Sequence, residues 1–332
     1  MPDATLSLFD NISGSVSIVG SMNADYTVTT ARLPQPGETV NGGPLQILPG
    51  GKSGNQAAAA ARIGANVSIF GAVGDDSNAD FLLAQLGNAN VDTSHVSHVK
   101  GASGTTVITV DGNGENTIVY SPGSNGKVDV AYVEAQKDAL LSSSVLGLCL
   151  ESPIETVTAT AKMCHEAGIK VLLNDSPFQD TLPDELIQYS DILLVNEHEM
   201  AQLLRIDEPR DGDWLAPGID WSAIARTMAD FGFDQAVVTL GHEGAQVIEN
   251  GQVEHVDATK IQAKDTTGCG DAFMGTILAG LASGYALKDC AALAAYVAGY
   301  AATGYGAQAS YGTADQIREF FAPSDVRNDS VR

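Results

Sequence analysis

Short aliphatic runs alternate along this chain with longer stretches of helical composition, and that alternation restricts the fold more than any other feature. "SVSIVG", "NVSIFGAV", "VLGLCLE", "KVLLND", "DILLVNEHEM" and "QAVVTL" read as buried strands, the fifth ending in acids. "SGNQAAAAARIGA", "NADFLLAQLGNANV", "PIETVTATAKMCHEAG", "IDWSAIARTMADFG" and "GDAFMGTILAGLASG" read as helices, the first by its run of alanine, the best helix former. Strands separated by helices predict a parallel sheet covered on both faces. One stretch breaks the rhythm. "TTVITVDGNGENTIVYSPG" carries two alternating runs around Asp111-Gly112-Asn113-Gly114, a hairpin signal and a candidate lid.

A chain of 332 residues, 44% apolar, is long enough for one large α/β domain or two medium ones. No internal repeat, low-complexity tract or clear linker divides it, so one domain with a small β lid is expected. The formal net charge of -24 repels nucleic acid and anionic membranes, which excludes both as expected partners. Cys149, Cys164, Cys269 and Cys290 show no Cys-x-x-Cys spacing, which argues against zinc and suits buried free thiols in a reducing compartment. The start, "MPDATLSLFDNISG", lacks the basic and apolar regions of a signal peptide and reads as a loose tail. Cys290 to Ala309 is uncharged but rich in Ala and Gly, which fits a closely packed helix better than a membrane span.

In open parallel sheets ligands bind at the carboxyl ends of strands. Four polar clusters follow strands here: Asn23-Ala24-Asp25, Glu151, Asn196 to Glu199, and Thr239-Leu240-Gly241. The expected topology lets all four face one crevice. "LPGGKSGNQ" offers a Gly-Lys-Ser at a helix start, but the phosphate-cradling P-loop needs a glycine where Gln46 stands, so these glycines serve another purpose.

"KDTTGCGDAFMG" (264–275) carries the strongest chemical signal. Gly268 and Gly270 precede an uncharged helix, so backbone N–H groups and the helix dipole can converge on an anion. Asp271 at the same place is either a helix cap or a base that accepts a proton from an attacking hydroxyl.

With these motifs in order, the chain resembles the ribokinase family of carbohydrate kinases from about Ser15 to Phe321. Its two signatures stand as "GGKSGNQAAAAARIGA" and "DTTGCGDAF", with "GSMNAD", "PGETV", "GDD", "CLESP", "VNEHE", "TLGHEG" and "GAQAS" between and after them. The resemblance implies a ribokinase-like three-layer α/β/α fold, with a mostly parallel central sheet. A β lid from about 24–47 and 102–124 would belong to one kinase domain over 15–322, flanked by tails at 1–14 and 323–332. It implies phosphorylation of D-ribose at its 5-hydroxyl by ATP, in a cytoplasmic homodimer paired through the lid.

By the same resemblance Asp271 is the base, and Gly268, Cys269 and Gly270 supply anion-hole amides. Asn23, Asp25, Gly51, Lys52, Asn55 and Glu151 bind the sugar with Asp271. Asn196, Thr239, Gly241, Gly244 and Gly270 hold ATP. Asn196 and Glu199 organise Mg²⁺, largely through water, and His198 between them has no role. Asp265, Thr267, Ala301, Gly304, Gly306 and Ser310 hold K⁺ beside the anion hole. Ser53 and Gly54 depart from the family's Gly and Ala, which bears on sugar preference. Other acceptors in the same class are 2-deoxyribose, another sugar or a nucleoside. A non-catalytic sugar sensor is a second class, opposed by the intact Asp271. A nucleotide-linked dehydrogenase is excluded, because the first strand runs into "GSMNADY" rather than G-x-G-x-x-G.

Overall fold

The computed structural model describes residues 4–322. Its central sheet is built on β1 (Ser15–Val19), and the chain then leaves for the lid strands β2 (Asn23–Thr29) and β3 (Gln46–Gly50). It returns through α1 (Lys52–Arg62) to β4 (Asn66–Val73), then passes α2 (Ser77–Asn88) and the short strands β5 (Val91–Asp92) and β6 (Val96–His98). The lid hairpin follows as β7 (Gly104–Val110) and β8 (Asn116–Ser121). Helices α3 (Val130–Ala135) and α4 (Lys137–Leu140) lead to β9 (Val145–Leu148), α5 (Ile154–Glu166), β10 (Lys170–Asn174), α6 (Asp184–Gln188) and β11 (Ile192–Asn196). Then come α7 (Glu197–Leu204), α8 (Trp221–Phe231), β12 (Gln235–Thr239) and the antiparallel pair β13 (Ala245–Glu249) and β14 (Gln252–Val256). The chain closes with α9 (Cys269–Ala282), α10 (Leu287–Ala301) and α11 (Ala314–Phe321).

The main sheet runs β14-β13-β12-β11-β10-β9-β1-β4-β5, with β6 also on β4. All pairings from β12 to β5 are parallel, and those of β13 and β14 antiparallel. Side chains of successive strand residues fall into different cores, as a sheet covered on both faces requires. Val16 and Ile18 of β1, Ile69 of β4, Leu172 of β10 and Leu194 of β11 join the core beneath α1, α9 and α10. Val19, Phe70, Leu173 and Val195 join the core beneath α5, α7 and α8. The three-layer α/β/α architecture follows from that division.

The second sheet, β3-β2-β7-β8, joins both segments expected to form the lid. β2 pairs parallel with β7 over seven residues, and β7 with β8 as an antiparallel hairpin. Register aligns Leu48, Asp25, Thr106 and Tyr120 in one row across the four strands.

Two expectations change. Residues 4–11, read as part of a loose tail, form a 3-10 helix that buries Leu6 and Phe9 in the first core. A segment this short shows no clear period, and its apolar residues were not recognised as an anchor. The acids after "DILLVN" do not end a strand. Asn196 caps α7 instead, in a reciprocal capping box with Glu199. The tail at 323–332 lies outside the described residues. Among the described residues no helix is long and apolar enough to cross a membrane.

Helix α1 is buried from Ser53 to Ala61, so its alanines pack rather than merely favour helix. Its partner α9 comes so close that a methyl group on Gly275 would stand 2.4 Å from the Gln56 carbonyl oxygen. Gly275→Ala should therefore destabilise the protein by about 1–3 kcal/mol in urea unfolding, although alanine is the better helix former. Unchanged stability would show that the two helices are free to separate.

Candidate active site

Parallel strands bring their carboxyl ends to one edge of the sheet, and the functional side chains collect there. Asn196 and Thr239 are paired residues at the ends of β11 and β12. A polar cavity of about 160 Å³ is lined by Lys52, Asn174, Asn196, Glu199, Thr239, Gly268, Gly270 and Asp271, among others. A larger cavity of about 320 Å³ adjoins it, sharing Thr239 and Gly270. Its walls are mostly apolar and small: Ala258, Ile261, Ala263, Phe273, Ala295, Ala298, Gly299 and Ala302, with Gly241, His242 and Gly244 along the strand end. This shape suits a flat base, with its phosphates directed toward the polar cavity.

The head of α9 lies between the two. Gly268 caps the helix in the left-handed region at φ 75°, and Tyr311 donates to its carbonyl oxygen at 2.8 Å. The Cys269 amide, expected in the anion hole, donates to the Thr266 carbonyl at 3.1 Å and closes the turn instead. No partner among the described residues takes the N–H of Gly268, Gly270 or Asp271. An anion at this helix end thus meets two of the three expected amides together with that of Asp271 itself.

Asp271 is half-buried, and both its oxygens accept from α1. Asn55 Nδ2 donates to Oδ2 at 2.9 Å and Gln56 Nε2 to Oδ1 at 3.2 Å. Burial pushes its carboxyl above the ordinary range, opposed by the Lys52 ammonium and the two amides, while Glu151 adds to the rise. Burial alone would lower the Lys52 ammonium, but Asp271 and Glu151 outweigh it and hold Lys52 above its usual value. Lys52 is the cavity's one basic side chain among the described residues.

Lid strand β2 brings Asp25 within the electrostatic reach of Asp271 and Glu151. Asp25 accepts from the Thr106 hydroxyl. Burial pushes its carboxyl up to about 6 against the pull of that bond, and Glu151 and Asp271 push the same way. Asn23 is buried, and its oxygen accepts from Asn125 Nδ2 at 2.7 Å. Glu151 Oε2 takes the Ser21 hydroxyl and the Lys52 amide, the latter at 2.9 Å, and so ties the first loop to the start of α1. Gly51 holds φ 85° beside the backbone of Met22 and Asn23, which the glycine-rich loop makes possible.

The two departures at Ser53 and Gly54 fit without strain. Ser53 is helical and buried, with its hydroxyl 3.1 Å from Cys149 Sγ. A methyl on Gly54 would lie 3.4 Å from Gln308 Nε2, an ordinary contact.

Asn196 Oδ1 accepts from the Glu199 amide at 2.8 Å, and Glu199 Oε2 from the Asn196 amide at 2.9 Å. Glu199 Oε1 takes no bond from the described residues, which leaves it for a hydrated cation. His198 points away, to Glu208 at 3.0 Å. Asp265 accepts from the amides of Thr267 at 2.9 Å and Gly306 at 2.8 Å. Gly304 stands against Ser310 and donates to the Ala301 carbonyl at 3.0 Å. The six residues expected around a monovalent cation thus share one loop cluster, with oxygen donors that suit a hard ion.

Sequence reasoning missed the apolar cavity along α10, because small residues read as close packing also leave a groove. It missed Gln56, Thr106 and Gln308 too. Thr106 was open to detection through the strand alternation that also places Tyr120.

The model of the pfkB family carbohydrate kinases matches residues 13–314. Ribokinase from Schizosaccharomyces pombe is 36% identical over 290 residues, covering 85% of this chain and 89% of that one. Deoxyribokinase from Salmonella typhi is 30% identical over 309 residues, covering 92% and 98%. The structure of Arabidopsis thaliana ribokinase complexed with ribose and ATP matches with a TM-score of 0.83 at 27% identity, over 94% of this chain and all of that one.

The raised Asp25 value carries a stability consequence. Its folded value of about 6 exceeds the ordinary 3.8, so the ionised group destabilises the fold above pH 6. That cost fades as the pH falls from 6 to 3.8. Asp25→Asn should raise the melting temperature at pH 8, by up to about 3 kcal/mol of stability, and leave it unchanged at pH 3.5. Equal melting of the two proteins at both values would contradict the buried-charge account.

Proposed function

The chain belongs to the pfkB family of carbohydrate kinases, and from that membership we propose that it transfers the γ-phosphoryl group of ATP to the 5-hydroxyl of D-ribose. It is an ATP-dependent sugar kinase. The observation that carries the reaction is the place of Asp271, which lies where the hydroxyl-binding wall meets the open N–H groups of α9.

Asp271 takes the proton of the sugar hydroxyl, and the oxygen attacks the γ-phosphorus in line with the leaving β-phosphate oxygen. The O–H and γ-phosphoryl bonds break, the new P–O bond forms, and ADP departs. Gly268, Gly270 and the Asp271 amide meet the charge of the phosphoryl group in transit, and Lys52 adds a cation on the same side. Asn23, Asp25, Gly51, Asn55 and Glu151 hold the sugar. Thr239, Gly241 and Gly244 border the base slot, with Asn196 at the phosphate end.

Mg²⁺ fits the carboxylate of Glu199 and the Asn196 side chain, largely through water; bound there with ATP, it supplies charge neutralisation at the phosphates. K⁺ fits Asp265, Ser310 and the carbonyl groups of Thr267, Ala301, Gly304 and Gly306, where it fixes the loop ahead of α9. A homodimer through the lid is supported by Ile47, Val107 and Val119, which stand in one row and are 44%, 52% and 67% exposed. Four free thiols support a reducing, cytoplasmic setting.

A second acceptor, 2-deoxyribose, is favoured by one feature. Thr106 already occupies one oxygen of Asp25, which leaves less acceptor capacity for two sugar hydroxyls.

ADP release with Mg-ATP and K⁺, measured over D-ribose, 2-deoxyribose, fructose and adenosine, tests the reading. Ribose should give the highest kcat/KM, and Asp271→Asn should lower kcat roughly a hundred- to ten-thousand-fold. Higher kcat/KM on 2-deoxyribose would move the acceptor and keep the mechanism. Sugar binding with no turnover on any acceptor would replace the kinase by a sensor.

A further inference from the structure

The two amides that hold Asp271 differ in how they are themselves held. Asn55 is fixed at both ends: its Nδ2 donates to Asp271 and its Oδ1 accepts from Gln308 Nε2 at 3.1 Å. An ionised carboxylate accepts and never donates, so the chain Gln308 to Asn55 to Asp271 has one direction. Gln56 is fully buried, yet its Oε1 has no hydrogen-bond partner among the described residues. A buried oxygen without a partner destabilises a fold, and an apolar side chain of the same shape would avoid the penalty. What Gln56 does provide is its Nε2 bond to Asp271 Oδ1 at 3.2 Å.

We propose that Gln56 and Gln308 are positioning residues for the phosphoryl transfer: Gln56 directly, and Gln308 through Asn55, fix the plane of the Asp271 carboxylate so that it meets the sugar hydroxyl. The inference rests on Asp271 being the base. With Oδ1 and Oδ2 each engaged from the α1 side, rotation of the carboxylate breaks a bond at either oxygen. The remaining lone pairs then keep a constant direction toward the cavity. Proximity and orientation of this kind are where a large part of a transfer rate arises.

The same two bonds act on the proton affinity of the base. Both favour the charged form, so loss of either raises the carboxyl further above its ordinary value. The other charged and titratable groups around it are Lys52 on α1, Glu151 after β9, Asp25 on β2, Cys269 on α9 and Tyr311 before α11. None of them is altered by a change at Gln56 or Gln308.

Gln56→Met and Gln308→Met test the assignment, with Asp271→Asn alongside. In Gln56→Met, kcat should fall roughly ten- to a hundredfold, with the sugar KM within about twofold of the parent. The acid limb of kcat should move to higher pH, and thermal stability should change little, since removal of the partnerless oxygen offsets the bond lost at Asp271. Gln308→Met should lower kcat less and move the acid limb the same way, with a loss of thermal stability because it leaves Asn55 Oδ1 without its donor. A parental kcat and acid limb in Gln56→Met, with Asp271→Asn inactive, would overturn the positioning role and leave the base intact. A fall in kcat with lost stability and an unmoved acid limb would assign Gln56 to packing instead. Parental turnover in Asp271→Asn would remove the base, and the inference with it.

Discussion

The close approach of α1 and α9 is the contact on which the rest of the site depends. Neither helix carries a complete function. The first brings Lys52, Asn55 and Gln56, and the second brings Asp271 and the open amides at its head. At Gly275 the backbones come within a distance that no side chain tolerates, and the register of that contact sets the amides of α1 on the carboxylate of α9. Packing in the helical layer is thus the same event as assembly of the candidate site.

The electrostatics follow from that assembly. A surface of net charge -24 disfavours any polyanion, yet the reaction read from the site needs one. The local arrangement opposes the global field at short range, where it is least screened: open N–H groups, a helix dipole and the Lys52 ammonium face one cavity. Three carboxylates, Asp25, Glu151 and Asp271, stand close together: Glu151 raises the proton affinity of the other two, and Asp271 that of Asp25. The Lys52 ammonium pulls the Asp271 carboxyl back toward its charged form. The fold tolerates this strain because the surrounding cores are large.

Most of the fold was legible in the sequence because it rests on patterns with a clear period. Buried strands such as "KVLLN" and an alanine-rich helix leave little freedom, and Asp111 to Gly114 marked the hairpin directly. Of the candidate site, the sequence singled out Asp271 and Gly268, which the structure places at the head of α9 beside the polar cavity. The site was not legible where function depends on three-dimensional neighbours. Gln308 lies 253 positions from Asn55, and no spacing rule joins them. The Cys269 amide was misassigned because a motif counts residues, whereas hydrogen bonding in the turn decides which N–H stays open. Leu6 and Phe9 were lost for a related reason: the few apolar residues of so short a segment make no clear period until a groove exists to receive them.

The row Leu48, Asp25, Thr106 and Tyr120 makes the lid sheet a coded object, in which sequence length is equivalent to direction. Side chains alternate along each strand, so inserting or deleting one residue between Asn23 and Thr27 turns the Asp25 carboxylate to the far side of the sheet. The turn at Asp111 to Glu115 lies past the row and has no such parity to preserve. The lid can therefore lengthen or shorten at its tip while its root stays locked in register. Differences in how far the lid extends past the row can accumulate there without turning the Asp25 carboxylate.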